Sequence, residues 1–184
     1  EMSSPSEYVM IDNAIKSYGT IASGSTVFES FPVTILGTAF DMEDLEFTLS
    51  ITDNNNNIWF NYVPVNISGP YLIVSDYSGE TLPGITTDLS ISVANQGSKT
   101  ANNFTMELLS YENLVTVNAG FATMDNLSPG ENILLDDFGL HFNSTIINGS
   151  ILPMDLVLTS SDGFTRNQII NIMVGETRES DPLG

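Results

Sequence analysis

The chain has 184 residues, 41% of them hydrophobic, which is room for one large domain or two of about 100 residues with real cores, so disorder is not the expectation. Four basic residues against 23 acidic ones leave a net charge of −19, a field that repels phosphate backbones and anionic lipid and argues against nucleic acid as a partner. With no cysteine there are no disulfides, iron–sulfur clusters, thiolate zinc sites or cysteine nucleophile, and no run reaches the roughly 18–20 apolar residues with which a helix spans a bilayer.

Taken in chain order, the runs "STVFESFPVTIL" (25–36), "LEFTLSIT" (45–52) and "IWFNYVPVNI" (58–67) alternate apolar and polar residues and are rich in β-branched and aromatic side chains. They are followed by "YLIVSDY" (71–77), "TDLSISVAN" (87–95), "FTMELL" (104–109), "MDLVLTS" (154–160) and "NQIINIMV" (167–174), nearly all separated by Gly, Pro, Asn or Asp clusters. No window keeps helical apolar spacing for the about 10–12 residues a helix needs. The expectation is an all-β chain of antiparallel sandwiches whose cores include Val33, Ile35, Phe47, Leu49, Ile91, Val93, Leu156 and Leu158.

Between the second and third runs lie Asp53 and four consecutive asparagines, a density that invites comparison with a calcium loop. An EF-hand loop counted from Asp53 requires glycine at its sixth position and glutamate at its twelfth, and the chain has Ile58 and Pro64 there. The stretch reads instead as a hairpin connection whose asparagines tolerate left-handed dihedrals.

The chain also matches itself. "YGTIASGSTVF" (18–28) lies over "MDNLSPGENIL" (124–134) at an offset of 106, and upstream "YVMIDN" (8–13) lies over "LVTVNA" (114–119). After one inserted residue "FPVTIL" (31–36) pairs with "FGLHFN" (138–143), and "FTLSITD" (47–53) with "MDLVLTS" (154–160). The second copy is complete only if it includes the segment from about 70 to 110, which gives about seven strands, the size of an immunoglobulin-like sandwich. The predicted architecture is therefore two tandem immunoglobulin-like sandwiches: residues 1–68 as the later part of a first one whose leading strands are missing, 69–175 as a complete second one, and 176–184 as a linker. A chain that opens on Glu1 reads as a piece of a longer protein. An incomplete sandwich leaves an apolar sheet face and an unpaired edge in water, so residues 1–68 are expected to be completed by a docked segment, by strands supplied in trans, or by the neighbouring copy or another molecule if the two copies pack differently.

"LPGITTDLSISVANQGSKTANNFTMELLS" (82–110), followed by "LSPGENILLDDFGLHF" (127–142), resembles the Pro-Gly-Glu, cell-adhesion-related immunoglobulin-like repeats of large secreted bacterial proteins. Such repeats occur beside gingipain-type and subtilisin-type peptidase domains in Bacteroidetes and related phyla. The pattern maps to Pro83, Gly84, Asn95 and Gly97, with Pro-Gly turning the chain and Asn-Gln-Gly making a tight loop, and it departs at Ile85, where the pattern has glutamate. The resemblance implies an extracellular or cell-surface bacterial location, a non-catalytic spacer or adhesion role, and neighbouring domains of a parent chain as partners. It also leaves open an accessory region that stays with a secreted peptidase after maturation, and a calcium- or glycan-dependent adhesin.

The candidate chemistry is sparse. His141 sits alone inside a strand pattern, so no catalytic triad can be assembled and no enzyme activity is expected. The carboxylates of "DMEDLE" (41–46) and "LDDF" (135–138) read as solvated turns and strand edges rather than a glycosidase pair. A sugar subsite would recruit Trp59, Tyr62 or Tyr71. Calcium is the one cofactor the chain invites, through Asp76, Glu80 and Asp88, because hard cations take carboxylate oxygens without needing a particular fold.

Overall fold

A computed structural model describes residues 1–175 together with Thr177 and Arg178. The chain is all-β, with fourteen strands and no helix among these residues. It divides into two compact units, Glu1–Ile67 and Ser68–Gly184.

The first unit carries β1 (Met2–Ser3), β2 (Val9–Ile11), β3 (Val33–Ile35), β4 (Asp44–Thr52) and β5 (Ile58–Asn66). They form one sheet of order β1-β4-β5 and a two-stranded ribbon β2-β3, all antiparallel. Leu45 and Phe47, alternate residues of β4, are the buried apolar side chains of this unit, and Tyr8 meets Phe40 edge to face at 6.0 Å. The run 25–36 was expected to be one strand, but only Val33–Ile35 is, and Ile35 is exposed rather than part of a core.

The second unit carries β6 (Leu72–Glu80), β7 (Thr86–Asn95), β8 (Ala101–Leu109), β9 (Val115–Val117), β10 (Phe121–Leu127), β11 (Asn132–Phe142), β12 (Ile151–Thr159), β13 (Thr165–Met173) and β14 (Thr177–Arg178). One sheet has the order β14-β6-β7-β11-β9 and the other β10-β8-β12-β13. The run β6-β7-β11-β9 facing β8-β12-β13 follows the strand order of an immunoglobulin-like sandwich. Alternation explains the core: Leu152, Met154, Leu156 and Leu158 point inward from β12 and meet Leu89, Ile91 and Val93 of β7 in one buried cluster. Residues 176–184 were expected to be a linker; Thr177 and Arg178 instead pair with Glu80 and Gly79, and the rest of that segment lies outside the described residues.

The two units share one pairing register. β2 pairs β3 through Val9↔Ile35 and Ile11↔Val33, and β9 pairs β11 through Val115↔Phe142 and Val117↔Leu140, a shift of 106 on one strand (115 − 9) and 107 on the other (142 − 35). β4 and β5 pair from Asp44↔Asn66 to Thr52↔Ile58, while β12 and β13 pair from Ile151↔Met173 to Thr159↔Thr165, a shift of 107 throughout. Met2↔Leu49 likewise answers Leu108↔Leu156. The turns agree as well. Ser25 N–H donates to Ala22 O and Glu131 N–H to Ser128 O, with Gly24 and Gly130 both at positive φ, 75° and 79°. The shift passes from 106 to 107 where β11 bulges, between Leu135 and Phe138, so the inserted residue is absorbed as a bulge rather than slipping the strand and turning its apolar face outward.

The lost strand at 25–32 follows from the same correspondence. In the second unit the equivalent residues belong to the first part of β11 and bond to β7. The first unit has no strand in the place of β7, and a lone extended segment has nowhere to direct its backbone N–H and C=O groups except water.

Candidate functional site

The three proposed calcium ligands all lie on β6 and β7. Asp76 is opposite Ser92 beside a bulge, Glu80 is exposed at the end of β6 opposite Thr177, and Asp88 is exposed on β7 opposite Gly139. Their parity puts them on the face opposite buried Tyr77, Leu89 and Ile91, three residues of strand separating Asp76 from Glu80. Among the described residues no group of three or more His, Asp or Glu side chains gathers closely enough to hold a metal ion. The three carboxylates share an outer face without converging on a common point.

His141 projects from the exposed side of β11, its Nδ1 3.0 Å from Thr86 Oγ1 on the adjacent strand. Two of the 41–46 carboxylates bond locally: Glu43 Oε2 accepts from Phe40 N–H in its own turn at 3.4 Å, and Asp44 Oδ1 accepts from Nδ2 of its cross-strand partner Asn66 at 2.9 Å. Of the three aromatic residues that a sugar subsite would recruit, two lie in the first unit and one in the second. Tyr71 belongs to the second unit and stacks under the Arg166 guanidinium at 4.3 Å. Trp59 and Tyr62 belong to the first unit and point from opposite faces of β5.

Asp53 uses both carboxylate oxygens on its own loop. Oδ1 accepts from the N–H groups of Asn55 at 2.8 Å and Asn57 at 2.9 Å, and Oδ2 accepts from Asn57 Nδ2 at 2.8 Å. These bonds favour the charged form and hold the Asp53 carboxyl below its ordinary value of 3.8. Asn56 takes the left-handed conformation at φ 63°, as a hairpin connection of this kind requires. The loop between β12 and β13 repeats the plan: Asp53 N–H to Asn57 O is answered by Ser160 N–H to Phe164 O, and Asn56 N–H to Asp53 O by Gly163 N–H to Ser160 O.

Two polar side chains do more structural work than any of these: Asn95, which the sequence marked only as part of a tight loop, and Gln168, which it did not single out. Asn95 is fully buried and makes four bonds, donating through Nδ2 to Lys99 O and Leu127 O, both at 2.8 Å, and accepting at Oδ1 from Gly97 N–H at 3.0 Å and Tyr71 N–H at 3.1 Å. Gln168, at an inward position of β13, clamps β6 across the sandwich: its Oε1 accepts from Val74 N–H at 3.1 Å and its Nε2 donates to Val74 O at 3.2 Å. The signal for both was available, since each is a polar residue at an apolar position of its strand's alternation.

A cleft of about 580 Å³ opens at the end of β8, between the 110–113 loop and Phe121, with exposed Tyr111, Glu107 and Glu112 on its walls. The larger feature is the sheet face of the first unit. Val63 and Val65 are 44% and 41% exposed, whereas Ile170 and Ile172, which hold the same register positions in the second unit, are 6% and 0% exposed. No protein-family model matches the chain, and no curated protein is similar enough to it to count as a relative.

Proposed function

We propose that the chain is a non-catalytic spacer module of a secreted or surface-attached bacterial multidomain protein, holding neighbouring domains of its parent chain apart. The observation that supports this best is the shared register. Pairing, turns and apolar positions recur at a shift of 106 to 107 residues while the exposed residues differ, the pattern of a scaffold that is copied for its shape. An acidic surface keeps such a module soluble and self-repelling, and pairing in both units comes from main-chain bonds and apolar burial at about 25 cal/mol per Å².

A second reading, an adhesive module that docks on a partner, is favoured by the stripe Ile58, Phe60 and Tyr62, three exposed apolar residues at alternate positions of edge strand β5. One experiment separates the two. A reporter domain is displayed on a cell surface through this chain or through an unrelated pair of β-sandwiches of equal length, and beads coated with the chain are tested on glycans, matrix proteins and bacterial surfaces, with calcium and with chelator. Equal reporter accessibility and no bead capture is the expected result. Saturable capture by the beads overturns the spacer reading in favour of the adhesin, and its loss with chelator assigns a role to calcium.

A further inference from the structure

In the second unit, the face of β12 and β13 is covered by the hairpin of β6 and β7. Leu72, Tyr77, Leu89 and Ile91 of the hairpin share one buried cluster with Leu156 and Ile172. Polar bonds fix its place. Gln168 clamps Val74; the Tyr77 hydroxyl donates to Asn171 O at 3.3 Å and accepts from Met173 N–H at 3.1 Å; Thr81 Oγ1 donates to Met173 O at 2.7 Å. β7 also supplies the edge along which β11 extends as a strand from Asn132.

The first unit keeps the receiving half of this arrangement. At the register positions of Leu156, Leu158, Ile170 and Ile172 it has Leu49, Ile51, Val63 and Val65, all apolar, and the last three are exposed. Gln168 is answered by Asn61, another carboxamide at an inward position of the edge strand. Residues 25–30, which answer the first part of β11, carry exposed Val27 and Phe28 outside any strand. β3 has β2 on one edge and no strand on the other.

We propose that this face is an acceptor for a β-hairpin supplied by another polypeptide segment, patterned as residues 72–95 are. Its second strand pairs with β3 and draws residues 25–32 into the sheet, while its first strand lies over Val63 and Val65 with a backbone amide and carbonyl on the Asn61 carboxamide. Affinity comes from main-chain pairing at the β3 edge together with the covered apolar face, and selectivity from side-chain alternation and the carboxamide clamp. The proposal rests on the reading of the two units as copies of one scaffold and holds whether that scaffold serves as a spacer or as an adhesin.

The test is residue-level hydrogen exchange on the full 184-residue chain, alone, with a synthetic peptide of residues 70–97, and with the same hairpin joined to Glu1 through a flexible glycine–serine linker that keeps it at about millimolar effective concentration. With the joined hairpin, exchange at residues 25–35 and 61–65 is expected to slow at least about tenfold, with the second unit unchanged as the internal control. Asn61→Ala, a substitution on an exposed edge, is expected to remove part of that protection, and Val63→Asp nearly all of it, with Trp59 emission of the unjoined variants reporting that the first unit stays folded. Unchanged exchange in the joined protein overturns the proposal. So does protection already present in the free chain that sedimentation traces to self-association and that Val63→Asp disperses, because the occupant is then a second copy. Neither result bears on the reporter-display test, so failure of the acceptor and failure of the spacer are separate outcomes.

Discussion

Val65 and Ile172 hold the same position in two copies of one pairing scheme, Val65 opposite Leu45 and Ile172 opposite Leu152, yet Ile172 is sealed from solvent and Val65 is 41% exposed. Equal register with unequal burial predicts unequal sensitivity. Ile172→Ala removes buried methyl and methylene groups and leaves a cavity, and is expected to cost the second unit about 2–5 kcal/mol. Val65→Ala is expected to cost the first unit about 0.5 kcal/mol, the range of exposed sites. Because Trp59 is the chain's one tryptophan and lies in the first unit, its emission follows that unit during urea unfolding, while far-ultraviolet circular dichroism is dominated by the larger second unit. Equal destabilisation at the two sites would contradict the exposure difference.

Asn95 is the polar keystone of the second unit. Asn95→Ala leaves two N–H groups and two carbonyls of Tyr71, Gly97, Lys99 and Leu127 without their partner, those of Gly97 and Leu127 at buried sites and the other two part-buried. At about 1–3 kcal/mol for each unsatisfied buried group, a loss of at least about 3 kcal/mol is expected, read as a fall in the urea midpoint with an unchanged slope. Gly97→Ala meets the same loop from the other side: a Cβ there would stand 2.5 Å from Gly69 O and 2.6 Å from Pro70 C, backbone atoms that cannot swing away. It is expected to destabilise by an amount that does not add to Asn95→Ala, since both act on one loop.

The β character was legible because alternation is a local property of the string: "TDLSISVAN" and "MDLVLTS" name their inward residues, and the offset of 106 that sets Gly24 over Gly130 recurs in the strand pairings. What could not be read there depends on partners. "STVFESFPVTIL" has a strand's composition, but a strand also needs an edge to bond to, and only Val33–Ile35 finds one, in β2. Ile35 is paired with Val9 yet exposed, whereas Phe142 at the same register position is buried under the second unit's other sheet. Asp76, Glu80 and Asp88 share a neighbourhood in sequence and even a sheet face, but alternation and the 3.3 Å rise spread carboxylates along a strand as readily as it gathers them. Thr177 and Arg178 carry the composition of a linker and are recruited by the free edge of β6, a tertiary fact.

The β4–β5 hairpin should respond to acid at its tip. The Asp53 carboxyl is held below its ordinary value by hydrogen bonds from Asn57 and Asn55, so the folded pKa lies below the unfolded one. Linkage fixes the sign: the stabilisation is fully present above the unfolded-state value of 3.8 and is lost as pH falls through the lower folded value. Asp53 is exposed to solvent, so the effect belongs to the hairpin and not to global stability. Carbon-detected titration of Asp53 is expected to give a midpoint below 3.8, moving up toward it in Asn57→Ala, which removes the Asn57 side-chain donor and keeps its backbone bond. Asn56→Gly, at φ 63°, is expected to leave the hairpin intact, whereas a β-branched residue there is expected to open it, because left-handed backbone suits glycine and excludes a branched Cβ. A midpoint at or above 3.8, or equal tolerance of glycine and valine at position 56, would mean that the carboxylate cage of this loop does not persist in solution.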